Sequence, residues 1–394
     1  MKYNRKWWTG GKIALSVAIS ILITLANYVV GNTSFPLPDE MKVLQSCDKL
    51  KKWCGQDRDS VPDEVMLIDV TYDKQLADYN VNDMLVGEYA VTNRQKLLDF
   101  LTAAQRADNY KYIMLDVIFE KGISSPQDSA LFSLIASMKR IVIPAHQDMP
   151  LEDSVLYCKA ANADYTITWE ETNFARFQYI HDGMPSMPLR MYQEIYGDSI
   201  SKCGFLFFSR GWLCRNGITL KMPVRLSADT EEEGYMKKIN VLYLGCDVLA
   251  MDSIAPISEE IKDKIVIIGS FNEDVHDTYA GLMPGSIICL NAYYALVHGE
   301  HVLLGRYGGV LVFYIFMLLL YFFISMAYLN GFSLSAKIQN PWLKLLLSLI
   351  SINVLFWIIA VLAYILPLDL VYNVWIPIGI FSLLDFVANI VNTK

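Results

Sequence analysis

The chain has 394 residues, 54% of them hydrophobic, and a formal net charge of −8 at pH 7. Residues 32–305 alone hold 25 Lys/Arg and 39 Asp/Glu, a net −14. So acidic a surface disfavours nucleic acid, whose phosphates demand a basic one.

In chain order, residues 1–12 carry Lys2, Arg5, Lys6 and Lys12, with Trp7 and Trp8 placed for a membrane interface. The apolar run 13–30 follows and is long enough to cross a hydrocarbon core of about 30 Å, so it is predicted as transmembrane helix 1. A cleaved signal peptide is the rival reading, but Asn27-Tyr28-Val29-Val30 offers no small-x-small cleavage site. Residues 31–62 read as a polar, turn-rich stalk with Pro36, Pro38 and Pro62 and a short helix around Glu40–Trp53.

Residues 63–305 are long enough to bury a full core as one large domain. Val65-Met66-Leu67-Ile68-Asp69-Val70 reads as a short apolar strand. Asn93–Arg106 has helical spacing, with Leu97, Leu98, Leu101 and Ala104 on one side. Tyr112–Ile118 reads as a strand, Asp128–Met138 as a helix and Arg140–Pro144 as a third strand. Continuous apolar strands separated by helices predict βαβ units: a mixed or mostly parallel sheet with helices on both faces. Between 145 and 245 the pattern is weaker, with strands at Tyr165–Trp169 and Phe177–Ile180, a helix at Pro188–Tyr196 and a hairpin arm at Phe205–Trp212. Regularity returns at Val241–Leu249, at Ile257–Ile261 and in a strand at Lys264–Ile268 turned by Gly269-Ser270. Phe271–Met283 reads as a polar loop. A helix from Pro284-Gly285-Ser286 to about Val297 follows, with Ser286 as N-cap and Gly299 at the left-handed position past its end.

Three more apolar runs, 306–330, 344–366 and 371–391, are predicted as transmembrane helices 2, 3 and 4, and only Asn392, Thr393 and Lys394 remain. The loop 331–343 and its flank carry Lys337 and Lys344 and no acid, so the positive-inside rule makes that loop and both termini cytoplasmic and residues 32–305 external. Asn353 and Asp385 stand out in these runs, at depths of about 13 Å and about 9 Å at the helical rise. Polar groups at such depths pair with a neighbouring span, reach water or meet a partner helix.

All seven cysteines lie within 32–305. Cys47 with Cys54, and Cys203 with Cys214, are close enough in sequence for short disulfide loops, although a continuous helix would hold the first pair about 10 Å apart. Cys246 and Cys289 sit in apolar runs and read as buried free thiols.

The order of these features resembles a known family. Ile257–Ile268, Ile268-Gly269-Ser270, Asp277-Thr278, Met283-Pro284-Gly285, Asn291-Ala292 and His298-Gly299 resemble the C-terminal half of a CHASE2 domain, an extracytoplasmic sensory module of bacterial receptors. Ile68-Asp69, Arg94, Leu115-Asp116-Val117-Ile118-Phe119 and Asp128 resemble its N-terminal half. The resemblance implies one span, the sensor and three spans in the bacterial cytoplasmic (inner) membrane. Family members usually continue into a cyclase or kinase. This sequence stops at Lys394, so no such activity carries over and the chain is not expected to be an enzyme.

Asp69, Asp116 and Asp277 are the candidate ligand-binding acids, with Arg94 and Thr278. Residues at the carboxyl ends of parallel strands face one shared crevice, and three acids there suit a cation, a protonated amine or a sugar. The bland reading is that each accepts loop N–H groups. Gly269, Pro284, Gly285 and Asn291 are read as turn and helix positions. Glu273-Asp274-Val275-His276-Asp277 has metal-ligand residue types but no second His, so no metal or other cofactor is expected. Dinucleotide, Walker, HExxH and Gly-x-Ser-x-Gly patterns are absent. The expected function is a membrane-anchored sensor or adaptor that recognises a small ligand or extracytoplasmic protein and signals to a separately encoded membrane-embedded or cytoplasmic effector. It is expected to act as a homo-oligomer, commonly a dimer. The alternative is a non-sensing membrane scaffold or accessory subunit of a membrane complex.

Overall fold

The computed structural model describes residues 5–32, 38–53, 61–82, 84–164, 176–226, 241–252, 256–302, 340 and 343. The chain divides into two compact units: Met1–Gln56, Ile200–Thr219 and Gly299–Lys394 in one, Asp57–Ser199 and Leu220–His298 in the other.

The first unit contains helices α1 (Arg5–Gly31) and α2 (Pro38–Trp53). Its three-stranded antiparallel sheet is formed by Ile200–Cys203, Leu206–Ser209 and Trp212–Cys214, with Leu206–Ser209 in the centre. The Tyr28 hydroxyl of α1 donates to the Cys214 carbonyl at 3.0 Å and accepts from the Phe207 N–H at 2.9 Å, pinning the helix end to the sheet. Asn32 Oδ1 accepts from the Asn216 N–H at 2.6 Å just beyond.

Among the described residues no helix is long and apolar enough to cross a membrane. This corrects the four-helix transmembrane region expected from the sequence. The run 13–30 is helical, but Ser16, Ser20 and Tyr28 are buried, and Tyr28 is held to the sheet by two hydrogen bonds. The expected spans 306–330, 344–366 and 371–391, with Asn353 and Asp385, lie outside the described residues.

The second unit is the α/β layer structure that the sequence implies. Its sheet uses β1 (Val65–Asp69), β2 (Tyr112–Leu115), β3 (Ile141–Ala145), β4 (Ala160–Asn162), β5 (Val241–Tyr243) and β6 (Ile265–Gly269). The strand order is β5-β1-β6-β2-β3-β4, and every pairing is parallel. Helices α3 (Arg94–Ala107), α4 (Asp128–Ser137) and α6 (Ile257–Glu260) cover one face, where Leu97, Phe100, Leu131, Ile135 and Ile261 pack with Ile68, Ile113, Ile141 and Ile268. Helices α5 (Met187–Tyr196) and α7 (Gly285–Val297) pack on each other and on the opposite face. There the Tyr112 hydroxyl donates to Glu194 at 2.7 Å and the Tyr179 hydroxyl to the Ala292 carbonyl at 3.0 Å. Covering both faces explains why β1 and β6 are buried along their whole length and read as continuous apolar runs.

Local signals explain the helix ends. Asn93 accepts from the Lys96 N–H at 3.0 Å as the N-cap of α3, and Asp108 closes it in the left-handed conformation. Gly299, with φ +70°, takes the left-handed position expected beyond α7. Other expectations are revised. Strand β2 ends at Leu115, so Asp116 lies just beyond it. The polar loop at 271–283 instead contains a hairpin, Val275–Thr278 with Gly281–Pro284. Ser286 is not an N-cap but lies inside α7, behind Pro284. Val241–Leu249 splits into β5 and a π-helical turn at Leu244–Leu249. An antiparallel arm of Lys74–Val81, Met84–Thr92 and Ile123–Ser124 completes the unit. The stretch Tyr165–Trp169 lies outside the described residues.

Among the described residues no two cysteines form a disulfide. Cys203 and Cys214 end the two outer strands of their sheet, with a whole strand between them, and two interstrand spacings of about 4.8 Å are too far for a disulfide. Cys246 is exposed, not buried as expected, because the π-helical turn lifts it from the core. Cys54 lies outside the described residues.

Candidate functional site

Parallel pairing brings several strand ends to one edge. Asp69 stands beside Gly269 in the β1–β6 register, and Ile268 stands beside Leu115 in the β6–β2 register. Asp69, Ser270 and Asp116 therefore emerge in a row at the carboxyl edge, where open parallel sheets bind ligands.

The two acids in that row have different surroundings. Asp69 is buried, and its Oδ1 accepts from the Thr71 N–H at 2.8 Å, the Thr71 hydroxyl at 2.5 Å and the Phe271 N–H at 3.4 Å. It organises its own turn. Asp116 is half-buried, and its carboxyl makes no hydrogen bond or ion pair among the described residues. Burial, reinforced by the charge of Asp274, pushes it up to about 7.

Asp274 comes from the entry to the 275–284 hairpin. Its Oδ1 lies 3.0 Å from His276 Nε2, and the Gly285 N–H donates to its carbonyl at 3.0 Å. Burial raises the Asp274 carboxyl, opposed by His146, and burial lowers His276, which leaves that ring neutral at pH 7. Two residues of α7 complete the group. Ser286 is 1% exposed, and its Oγ has no hydrogen-bond partner. Cys289 is three residues on, hence on the same helix face, and its thiol is held protonated by burial and by Asp116 and Asp274. At the ends of β3 and β4, His146 Nδ1 lies 2.9 Å from Asp164 Oδ1.

Two glycines let these groups approach closely. A Cβ on Gly269 would lie 3.3 Å from both the Asp116 Cβ and the Ser286 Oγ. One on Gly285 would meet the Asp274 carboxylate and lie 3.2 Å from His276 Nε2. Among the described residues no group of three His, Cys, Asp or Glu is placed to hold a metal ion.

The CHASE2 domain profile matches residues 32–328. The chain belongs to the CHASE2 domain family. CHASE2 domains are extracytoplasmic sensory modules, so this is an extracytoplasmic sensory domain. No curated protein and no solved structure matches the chain.

Within this CHASE2 domain the residues singled out from sequence separate into groups. Asp69, Asp116, Gly269 and Gly285 come together at the carboxyl edge. Asp277 is exposed on the hairpin, and Thr278 closes that hairpin's turn by donating to the Gly281 carbonyl at 2.6 Å. Arg94 lies on the α3/α4 side, 1% exposed, paired with Asp128. Asn291 is buried and exchanges hydrogen bonds of 2.9 Å with both backbone groups of Val224, which anchors the chain before the sheet's last strands. Pro284 sets the entry to α7. Sequence reading missed Asp274, Ser286 and Cys289 as neighbours of Asp116, and His146 as a charge acting on Asp274. Asp274 was visible in the acidic run, but only the hairpin shows that it, rather than Asp277, turns back to Asp116.

Proposed function

We propose that this CHASE2 domain senses a small ligand in the carboxyl-edge crevice and passes the bound state to a separately encoded effector. The observation carrying this reading is Asp116: a half-buried carboxyl at a strand end with no hydrogen-bond partner among the described residues, beside the buried Ser286 Oγ, which has none among them either. Buried polar groups are ordinarily satisfied, so partners left open at the mouth of a sheet mark a site for a ligand. Helix α7 begins at this crevice and ends at Val297, after which the chain enters its other unit at Gly299. A ligand touching the first turn of α7 thus acts on the segment that connects the units. Its effect is limited to its differential affinity for two states of the domain.

The test is thermal shift of the full chain against a panel of metabolites and cations. A ligand that raises Tm in the wild type but not in Asp116→Asn supports the reading. A panel-wide lack of response from a folded chain removes it.

One observation favours a second reading, a scaffold that senses nothing. The arm of Lys74–Val81 and Met84–Thr92 exposes Leu76, Met84, Leu85, Val86 and Tyr89, and Leu76 is 64% exposed. Several large apolar groups left to solvent on one element mark an interaction surface. Leu85→Lys with Val86→Lys would then dissolve an assembly while leaving ligand responses intact.

A further inference from the structure

We propose that the open edge of the 74–92 arm takes up an extended segment of a partner protein as an added β-strand, with a lysine or arginine of that segment set against Asp78 and Glu88. This names the occupant of the arm and rests on its reading as an interaction surface, not on the crevice. The strand Met84–Thr92 is the outermost of its sheet and pairs on one side only, with Lys74–Val81. Every residue from Met84 to Ala90 is exposed, so both faces of the strand are bare as well as its edge. Among the described residues, the outward N–H and C=O groups of Met84–Val91 have no hydrogen-bond partner. Edges of monomeric sheets are ordinarily blunted by lysine, proline, bulges or a covering element. This strand has no lysine or proline, and its one register shift leaves Val86 unmatched but Gly87–Thr92 regular. An edge of this kind is a template for strand addition, in which main-chain hydrogen bonds supply affinity and side chains supply specificity.

The side chains select the occupant. Asp78 stands directly opposite Glu88 in the register, and like charges so placed repel. Neither carboxylate makes a hydrogen bond or ion pair among the described residues, and the arm's own lysine, Lys74, is held at 2.7 Å by Glu273. Alternate residues of a strand share a face, so Leu76 and Leu85, the latter opposite Asn80, flank the acid pair and are 64% and 65% exposed. A strand laid beside Met84–Thr92 would run about 4.8 Å from it. A basic side chain opposite Glu88 then shares the face of both acids, and its long stem reaches across to either carboxylate. Apolar residues two positions to each side of it lie towards Leu85 and Ala90. On the reverse face the strand presents Tyr89, whose ring is 6.5 Å from that of Tyr79. A second copy of this chain fits less well. Residues 32–305 carry a net −14, and pairing the strand with itself brings the acid pairs of both copies into one sheet.

The experiment is fluorescence anisotropy of labelled, end-capped peptides of nine residues, the length of the edge strand, titrated with the full chain. Valine and threonine alternate in the probe, and lysine replaces the central valine. One comparison peptide has glutamate at the centre. Another keeps the lysine but has proline for the two threonines beside it, which removes N–H donors and bars a strand. The lysine peptide should bind at one site, at least about tenfold more tightly than the glutamate peptide, and the proline peptide should not bind. Raising the salt to about 1 M should weaken its binding several-fold. Asp78→Lys with Glu88→Lys, both at exposed positions, should invert the preference, so that the glutamate peptide binds about tenfold the better, with folding checked by circular dichroism. A preference that this charge reversal leaves unchanged overturns the assignment, and so does equal binding of the proline peptide. If no peptide binds but the full chain dimerises in sedimentation equilibrium and Leu85→Lys with Val86→Lys returns it to monomer, the occupant is a second copy. The partner strand is then wrong, while the arm stands as an interaction surface. If no peptide binds and the double lysine variant changes no association, both fall.

Discussion

Arg94 and Asp128 form an ion pair inside the α3/α4 layer, Nε to Oδ1 3.5 Å, with both side chains almost wholly withdrawn from water. The guanidinium also lies 4.4 Å over the Phe119 ring and donates to the Ile118 carbonyl at 3.4 Å. Burial lowers Arg94 to about 10, and Asp128 opposes that shift. Burial likewise raises Asp128, against the pull of Arg94. The pair locks the first turns of two helices together, so the arginine singled out from sequence works in the fold rather than in the crevice.

Removing one partner leaves the other as an uncompensated buried charge. Asp128→Ala should destabilise the domain by about 3–5 kcal/mol, measured by urea denaturation. Arg94→Met combined with Asp128→Leu should cost clearly less than the sum of the single changes, because no lone charge remains. Additive losses would show that the two side chains do not act as a pair.

Asp116 ties stability to pH in a definite direction. Its folded value of about 7 exceeds the ordinary carboxyl value, so the native state favours the protonated form. The domain therefore carries no penalty from this group below about pH 4, loses stability as pH rises from there, and bears the full penalty above about pH 7. Asp116→Asn should raise Tm at pH 8, by the equivalent of about 1–2 kcal/mol once partial solvent screening is allowed for, and should change nothing near pH 4. A variant stabilised equally at both pH values would contradict this account.

The two crevice glycines should respond differently to the same added methyl. At Gly269 the new Cβ would meet the Cβ atom of Asp116 and the Ser286 side chain at 3.3–3.4 Å, close to the backbone of a strand end and of a helix, and neither can retreat. Gly269→Ala should cost about 1–3 kcal/mol. At Gly285 the obstacle is the half-exposed carboxylate end of Asp274, which can swing away, and alanine favours the helix by about 1 kcal/mol. Gly285→Ala should be close to neutral in chemical denaturation.

Much of the α/β unit was legible because its strands are buried on both faces: β1, β3 and β6 stand out as unbroken apolar runs, and Asn93 marks the start of α3. The arm at 74–92 was not, since its outer strand is exposed along almost its whole length and leaves no one-sided apolar alternation to detect. Sequence reading found Asp69 and Asp116 through the strand-end rule, which depends only on chain direction. It chose Asp277 over Asp274 because selecting between them depends on where the hairpin turns back, and that register arises from pairing, not from residue type. The apolar run 13–30 misled in another way: continuous hydropathy does not show which side chains a helix turns inward, here Ser16, Ser20 and Tyr28.

Thiol chemistry separates the cysteines by burial. Under native conditions, alkylation followed by peptide mass mapping should modify Cys158, Cys203 and Cys246 readily, and Cys47 and Cys214 only after unfolding. Cys289 should react slowly because burial and two neighbouring acids suppress its thiolate. A peptide joining Cys203 to Cys214 would contradict the strand arrangement described above.

The Tyr28 hydroxyl offers a direct measure of what holds α1 to its sheet. It donates to one backbone group, the Cys214 carbonyl, and accepts from another, the Phe207 N–H, and all three residues are buried. Tyr28→Phe keeps the ring and its apolar contacts but removes the hydroxyl that bridges the buried Cys214 carbonyl and the buried Phe207 N–H. Losing a buried hydrogen-bonded bridge of this kind costs about 1–3 kcal/mol. The full chain should lose that much stability in urea denaturation, and the Phe207 amide should exchange faster with deuterium, while amides of β1 and β6 keep their protection. Unchanged exchange at Phe207 would mean that the hydroxyl does not hold the sheet to the helix end.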